Sequence, residues 1–193
     1  MPAIFRSVLR LIFPLFAICV STAGFAQVLA NDSTAALTVS RSISVPLNNL
    51  MLFDKALEAW TWTFGQEPGA QLVRSDREQG ILEGTARCNF RSQMLSNREE
   101  TMGVIQYKVL INIRSGECRL MMTEFMHNGN RNTARGGIHV GRLTRQIVPP
   151  VRTPGMGRSN AVRLYKELKD LSLERSNALL AAFEARLRSG IGE

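Results

Sequence analysis

Two alternating runs joined by a two-residue turn constrain this chain more than any other feature. Between Val104 and Arg114, apolar Ile105, Tyr107, Val109, Ile111 and Ile113 take every second position, and polar Gln106, Lys108, Asn112 and Arg114 stand between them. Glu117 to His127 continues the pattern with Cys118, Leu120, Met122 and Met126 on the apolar side. Such alternation is the signature of a strand with one buried face. Ser115-Gly116 between the runs is a hairpin turn, in which glycine supplies the positive φ that two-residue turns demand. The turn fixes the register: Arg114 faces Glu117, Ile113 faces Cys118, Ile111 faces Leu120 and Val109 faces Met122. A slip of one residue would send the two apolar faces to opposite sides of the sheet.

The remaining elements are read around this hairpin. Ala35 to Leu47, rich in β-branched residues, predicts a strand ended by Pro46. Leu50, Phe53, Leu57, Trp60 and Phe64 recur at spacings of three and four, the stripe of a helix, with Asn48 or Asn49 as its cap. Trp60 belongs to that stripe, whereas Trp62 points elsewhere and is expected to be partly exposed. Pro68-Gly69 closes the helix. Ala70 to Ser75 is a short strand. Gly80 to Arg91 is a longer one, with Leu82, Ala86, Cys88 and Phe90 facing the core. It is expected to pair antiparallel with the free edge of Val104–Arg114. Residues 131–158 form a connection rich in Gly, Pro and Arg that holds one possible strand between Ile138 and Val148. Residues 159–189 are read as a final helix capped by Ser159, or as a pair of helices broken at Asp170-Leu171-Ser172.

The first 26 residues carry an address rather than a fold. Arg6 and Arg10 precede the apolar run Leu11–Val20, and Gly24-Phe25-Ala26 offers small residues to a signal peptidase. The run is too short to span a bilayer, which takes about 20 apolar residues. We read a signal peptide cleaved near Ala26-Gln27, followed by a disordered polar leader over residues 27–34. Cys19 lies inside the apolar run behind Ile18, which does not suit lipid attachment. The expected location is therefore outside the cytoplasm, periplasmic or secreted, with no transmembrane segment in the mature chain.

Cys88 and Cys118 remain after cleavage, and export invites a disulfide. The strand order argues otherwise. A whole strand separates the two residues, roughly 10 Å across the sheet, while bridged cysteines need Cα atoms within about 7 Å. Two buried free thiols are expected.

At this point the segment from about Ala35 to Asn130 resembles the exported bacterial family known as domain of unknown function 4468. The resemblance rests on Ile43-Ser44-Val45-Pro46, on Lys55-Ala56-Leu57-Glu58-Ala59-Trp60, on Gly80-Ile81-Leu82-Glu83-Gly84, and on the hairpin Tyr107 to Leu120. It covers about half of the chain, and Ser115 stands where an acidic residue would be expected. It implies an α+β fold like that of the TATA-binding protein (TBP), in β-α-β-β-β-β order with a C-terminal helix. In that fold an antiparallel sheet carries helices packed on one face. The family brings no catalytic residues with it.

The chemistry available is limited. His127 and His139 have no cysteine or paired acid at ligand spacing, so no metal is expected, nor any cofactor, and both are read as solvent-facing strand ends. Cys88 and Cys118 face the core and lack a base. The chain carries a formal charge of +8, and no acid occurs between Glu124 and Glu167 while arginines accumulate. Two surfaces follow as binding candidates. One is the sheet face away from the helices, showing Arg87, Lys108, Arg119, Met121 and Phe125. The other is the basic segment with Arg131, Arg135, Arg142 and Arg145. Both suit an anionic envelope lipid or polysaccharide, or another envelope protein. Nucleic acid fits poorly, because the chain is exported and no stacking aromatics interleave the arginines. The leading reading is a non-catalytic, envelope-associated binding module. The alternative is an envelope-acting hydrolase that assembles distant groups such as Asp76, Glu83, Glu124 and His127.

Overall fold

The computed structural model describes residues 35–189, which lie within one compact unit, Asp32–Glu193. The expected signal peptide and leader fall outside the described residues. Strand β1 (Val39–Ser44) leads into helix α1 (Asn49–Trp62) and a 3-10 turn at Phe64–Gln66. Strands β2 (Gln71–Asp76), β3 (Ile81–Phe90), β4 (Gly103–Arg114) and β5 (Glu117–Gly129) follow, then a two-residue β6 (Gly141–Arg142) and helix α2 (Arg158–Arg188). The antiparallel sheet runs β1-β5-β4-β3-β2, with β6 paired to β5. Both helices pack on one face of it, and α1 also touches α2.

The hairpin forms in the register that its alternation demands. Ile113 pairs with Cys118, Ile111 with Leu120 and Val109 with Met122. On the other side of β4, Cys88 pairs with Ile105 and Leu82 with Ile111. Gly116, with φ of 79°, takes the left-handed position of the turn. Inward residues from four strands meet the helices in one core, which includes Ile43, Leu82, Tyr107, Ile111 and Leu120.

Helix α1 begins at Asn48, whose side-chain oxygen accepts from the Met51 amide at 2.9 Å. It buries Leu52, Phe53, Ala56, Ala59 and Trp60. Leu50, expected on the buried stripe, is instead exposed in the first turn, and Trp62 lies in solvent. Trp60 stacks on Phe64 with ring centroids 5.2 Å apart, and its ring lies over β3 at Gly84. A methyl group at Gly84 would come within 2.3 Å of Trp60 Cη2 and 2.6 Å of the Gln71 carbonyl oxygen. Gly84→Ala should therefore cost about 2 kcal/mol, because a packed ring and a strand backbone must both give way. A lowered urea midpoint checks this; an unchanged midpoint would mean that the ring swings aside freely.

Two expectations are corrected and one open choice is decided. First, the alternation of β5 breaks at a bulge. The β4–β5 register shifts between Gln106 and Lys108, and Glu124 adopts φ of 56°. The extra residue reverses the faces beyond it. Phe125 turns inward and is buried, Met126 turns outward, and His127 is fully buried rather than solvent-facing. Second, of the two readings open for residues 159–189, the single unbroken helix is the one that forms. Ser172 Oγ donates to the Leu168 carbonyl and Ser176 Oγ to the Ser172 carbonyl, which satisfies both hydroxyls within an unbroken helix. Third, α2 is capped at Gly157, with no side-chain cap, rather than at Ser159. The possible strand between Ile138 and Val148 shortens to β6 and a single bridge between Ala36 and Thr144. No described helix is long and apolar enough to cross a membrane.

Candidate functional site

The basic segment is tied to the domain along most of its length. The Ile138 amide donates to the Glu100 carbonyl at 2.7 Å, the Leu143 amide to Phe125 at 2.8 Å, and the Arg145 amide to Ala35 at 3.0 Å. The Thr144 amide donates to Tyr165 Oη at 2.8 Å. Lys169 Nζ reaches from α2 to the carbonyls of Arg145 and Gln146, at 3.1 and 2.5 Å. Arg98 Nη2 donates to the Gly155 carbonyl at 3.3 Å. Leu143, Thr144, Thr153 and Met156 are buried as anchors.

This anchoring leaves the cations outside. Arg131, Arg135, Arg142, Arg145, Arg152, Arg158 and Arg163 are all exposed. None of them has a carboxylate at ion-pair distance among the described residues, although Arg135 lies near enough to Glu100 to help lower its pKa. Arg152 and Arg158 flank the N-terminus of α2, where the first turn holds no acid. The helix dipole there adds to the positive potential.

The outer sheet face carries less free charge than the sequence suggested. Lys108 Nζ lies 2.6 Å from Glu83, and this hydrogen bond raises the Lys108 pKa. Arg119 lies 3.4 Å from Glu117. Met121 stands opposite Leu110, and both are half-buried by their neighbours. Phe125 has left this face. Arg87 remains exposed beside Gly69.

Sequence reasoning missed a polar cluster under the helices. Glu67, buried just after the 3-10 turn, accepts from Arg175 Nη2 of α2 at 2.5 Å and from Tyr107 Oη of β4 at 3.1 Å. Burial first, and then the Glu67 charge, push the Tyr107 hydroxyl well above its usual range. The same two causes in the same order raise the half-buried Cys88 thiol. Burial pushes Cys118 up to about 12. Both thiols are free, and raised pKa values keep them protonated and weakly nucleophilic. No local signal marks the Glu67–Arg175 pair, because its partners are far apart in the sequence.

His127 is turned away from the carboxylates with which a hydrolase would have to assemble it, while Glu83 and Glu124 both face Lys108. Asp76 and Glu83 are held by Arg74 and Lys108. Glu124 is exposed at the bulge. His127 lies on the opposite, helix-covered side, edge-on to Phe90 with ring centroids 5.5 Å apart. Its Nδ1 accepts from the Val140 amide at 3.4 Å, and Nε2 has no partner. Desolvation, and then the nearby His139, lower its pKa to about 4. His139 Nδ1 accepts from the Gly129 amide at 3.3 Å. No group of three or more potential metal ligands occurs among the described residues.

This architecture has counterparts among solved structures. A TBP-like protein from Parabacteroides distasonis is similar over 77% of this chain and 93% of its own length, with a TM-score of 0.52 and 11% identity. The fold is TBP-like. A DUF4468 family protein from Bacteroides ovatus is similar over 77% of this chain and 86% of its own, with a TM-score of 0.49 and 12% identity. At such identity the likeness extends to the fold alone. No family model and no curated protein matches the sequence.

Proposed function

We propose that this chain is an exported, non-catalytic binding module of the cell envelope that docks onto anionic material through the segment 131–158. Export rests on the charged start, apolar run and small residues of the first 26 positions. One observation carries the docking reading: the arginines from Arg131 to Arg163 are all exposed and without ion-pair partners among the described residues. Elsewhere the cations are commonly paired, as in Arg41–Glu184, Arg77–Asp54, Lys108–Glu83 and Arg175–Glu67. Unpaired guanidinium groups on an anchored segment are free to bind phosphate, sulfate or carboxylate in bidentate fashion. The outer sheet face is the weaker candidate, because its charges are largely neutralised within the chain.

Retention on a dextran sulfate column tests the reading. The protein should bind at low salt and elute as salt screens the contacts. Changing Arg131, Arg135, Arg142 and Arg145 to Gln removes four exposed charges worth about 0.5 kcal/mol each. Affinity should fall roughly thirtyfold. Equal retention of the variant would discard the proposal.

A further inference from the structure

We infer that the proline loop between Gln146 and Arg158 is a wedge that seats in the surface of an anionic lipid bilayer. This inference deepens the proposed docking onto anionic material by choosing lipid as the material. Its tip is apolar and turned outward. Ile147 is 83% exposed, Val151 74% and Val148 44%. Pro149-Pro150 sits between them and shortens the range of shapes that the loop can adopt. Val148, Val151 and Met156 also line a groove of about 460 Å³ that the loop forms with the first turn of α2.

An exposed apolar tip would be costly on an ordinary soluble surface, and patches of this kind rimmed by polar groups mark places of contact. Here the rim is cationic. Arg145 stands just before the tip, and Arg152 and Arg158 stand just after it, all exposed and without carboxylate partners among the described residues. Apolar side chains enter the acyl boundary while arginines hold the phosphate layer, which is how interfacial segments divide the work. Charge complementarity selects the occupant. An apolar protein groove would not call for three unpaired arginines, and a polysaccharide would have no use for Ile147 and Val151.

The loop is also stiff enough to deliver this geometry. Lys169 holds its start through the carbonyls of Arg145 and Gln146. Arg98 holds its end through the Gly155 carbonyl, where Met156 is buried. The tip is thus presented already ordered, which lowers the ordering cost of binding.

The chain from Gln27 onward, left after the expected cleavage, should sediment with vesicles of phosphatidylcholine and phosphatidylglycerol. It should not sediment with phosphatidylcholine alone. Ile147→Ser with Val151→Ser, both exposed and therefore compatible with folding, should weaken vesicle binding about tenfold or more. The same variant should keep wild-type retention on dextran sulfate. Arg152→Gln with Arg158→Gln should weaken both. Wild-type vesicle binding by the serine variant would overturn the lipid wedge and leave the broader anionic reading intact. So would retention of the wild type on dextran sulfate without any vesicle binding. Failure of the wild type on both supports would overturn that reading together with the wedge.

Discussion

Acidification from pH 6.5 toward pH 4 should destabilise this domain by about 3 kcal/mol through His127 alone. The side chain is fully buried, its Nε2 has no partner, and its pKa in the folded state lies near 4. In the unfolded chain histidine titrates near its ordinary value of about 6.5. Between those limits the unfolded state binds a proton that the folded state refuses. Stability therefore rises with pH through this window and falls as pH is lowered. The carboxylates Asp76, Glu100 and Glu117 have pKa values lowered in the fold, chiefly by hydrogen bonds. Their stabilisation is present above their unfolded values and is lost only at still lower pH. Between pH 6.5 and 5 the slope belongs to His127. Urea titrations across this range should show a falling midpoint in the wild type and a nearly flat one in His127→Gln. An equally steep slope in the variant would locate the proton elsewhere.

The second large effect is an asymmetry across one ion pair. Arg175→Met should cost about 3 kcal/mol, because it leaves the Glu67 carboxylate buried with only the Tyr107 hydroxyl as partner. Glu67→Gln should cost roughly 1 kcal/mol, since the Arg175 side chain is half exposed and its charge can turn to water. The double variant should be more stable than Arg175→Met alone, because no buried charge then lacks its partner. Urea midpoints of the three variants decide the matter. Equal costs for the two single changes would mean that Glu67 is better solvated than its burial implies.

The parts of the fold that were legible in advance share a physical basis. The β4–β5 hairpin could be read because period-two alternation and a glycine turn act on neighbouring residues, and together they left one register that buries both faces. The α1 stripe was legible from its three- and four-residue spacing except for Leu50, and the cap was narrowed to Asn48 or Asn49. The bulge at Glu124 was missed although it leaves a mark: strict alternation would put this charged residue on the apolar side of β5 and Phe125 on the polar side. Everything beyond it, Phe125, Met126 and His127, was accordingly placed on the wrong face. A single α2 and a pair broken near Ser172 both stayed open, because the tendency of Ser172 to compete with the backbone was visible, whereas its bond back to Leu168 was not. The basic segment announced itself by its lack of acids. That Ile147 and Val151 stand outside among those arginines depended on anchors such as Tyr165 and Lys169, which lie on another element. The Glu67–Arg175 pair joins the residue after the 3-10 turn to the middle of α2 and had no local signature at all.

Strand β2 lies at the rim of the sheet, and five of its six residues are exposed. Its pairing with β3 jumps between Leu72 and Arg74, leaving Val73 out of step. Arg74 and Asp76 place a charged couple on the same rim. A row of open backbone groups is ordinarily an invitation to a neighbouring chain, and interrupting it with an irregular step and fixed charge withdraws that invitation. This border therefore resists runaway stacking of one molecule upon another.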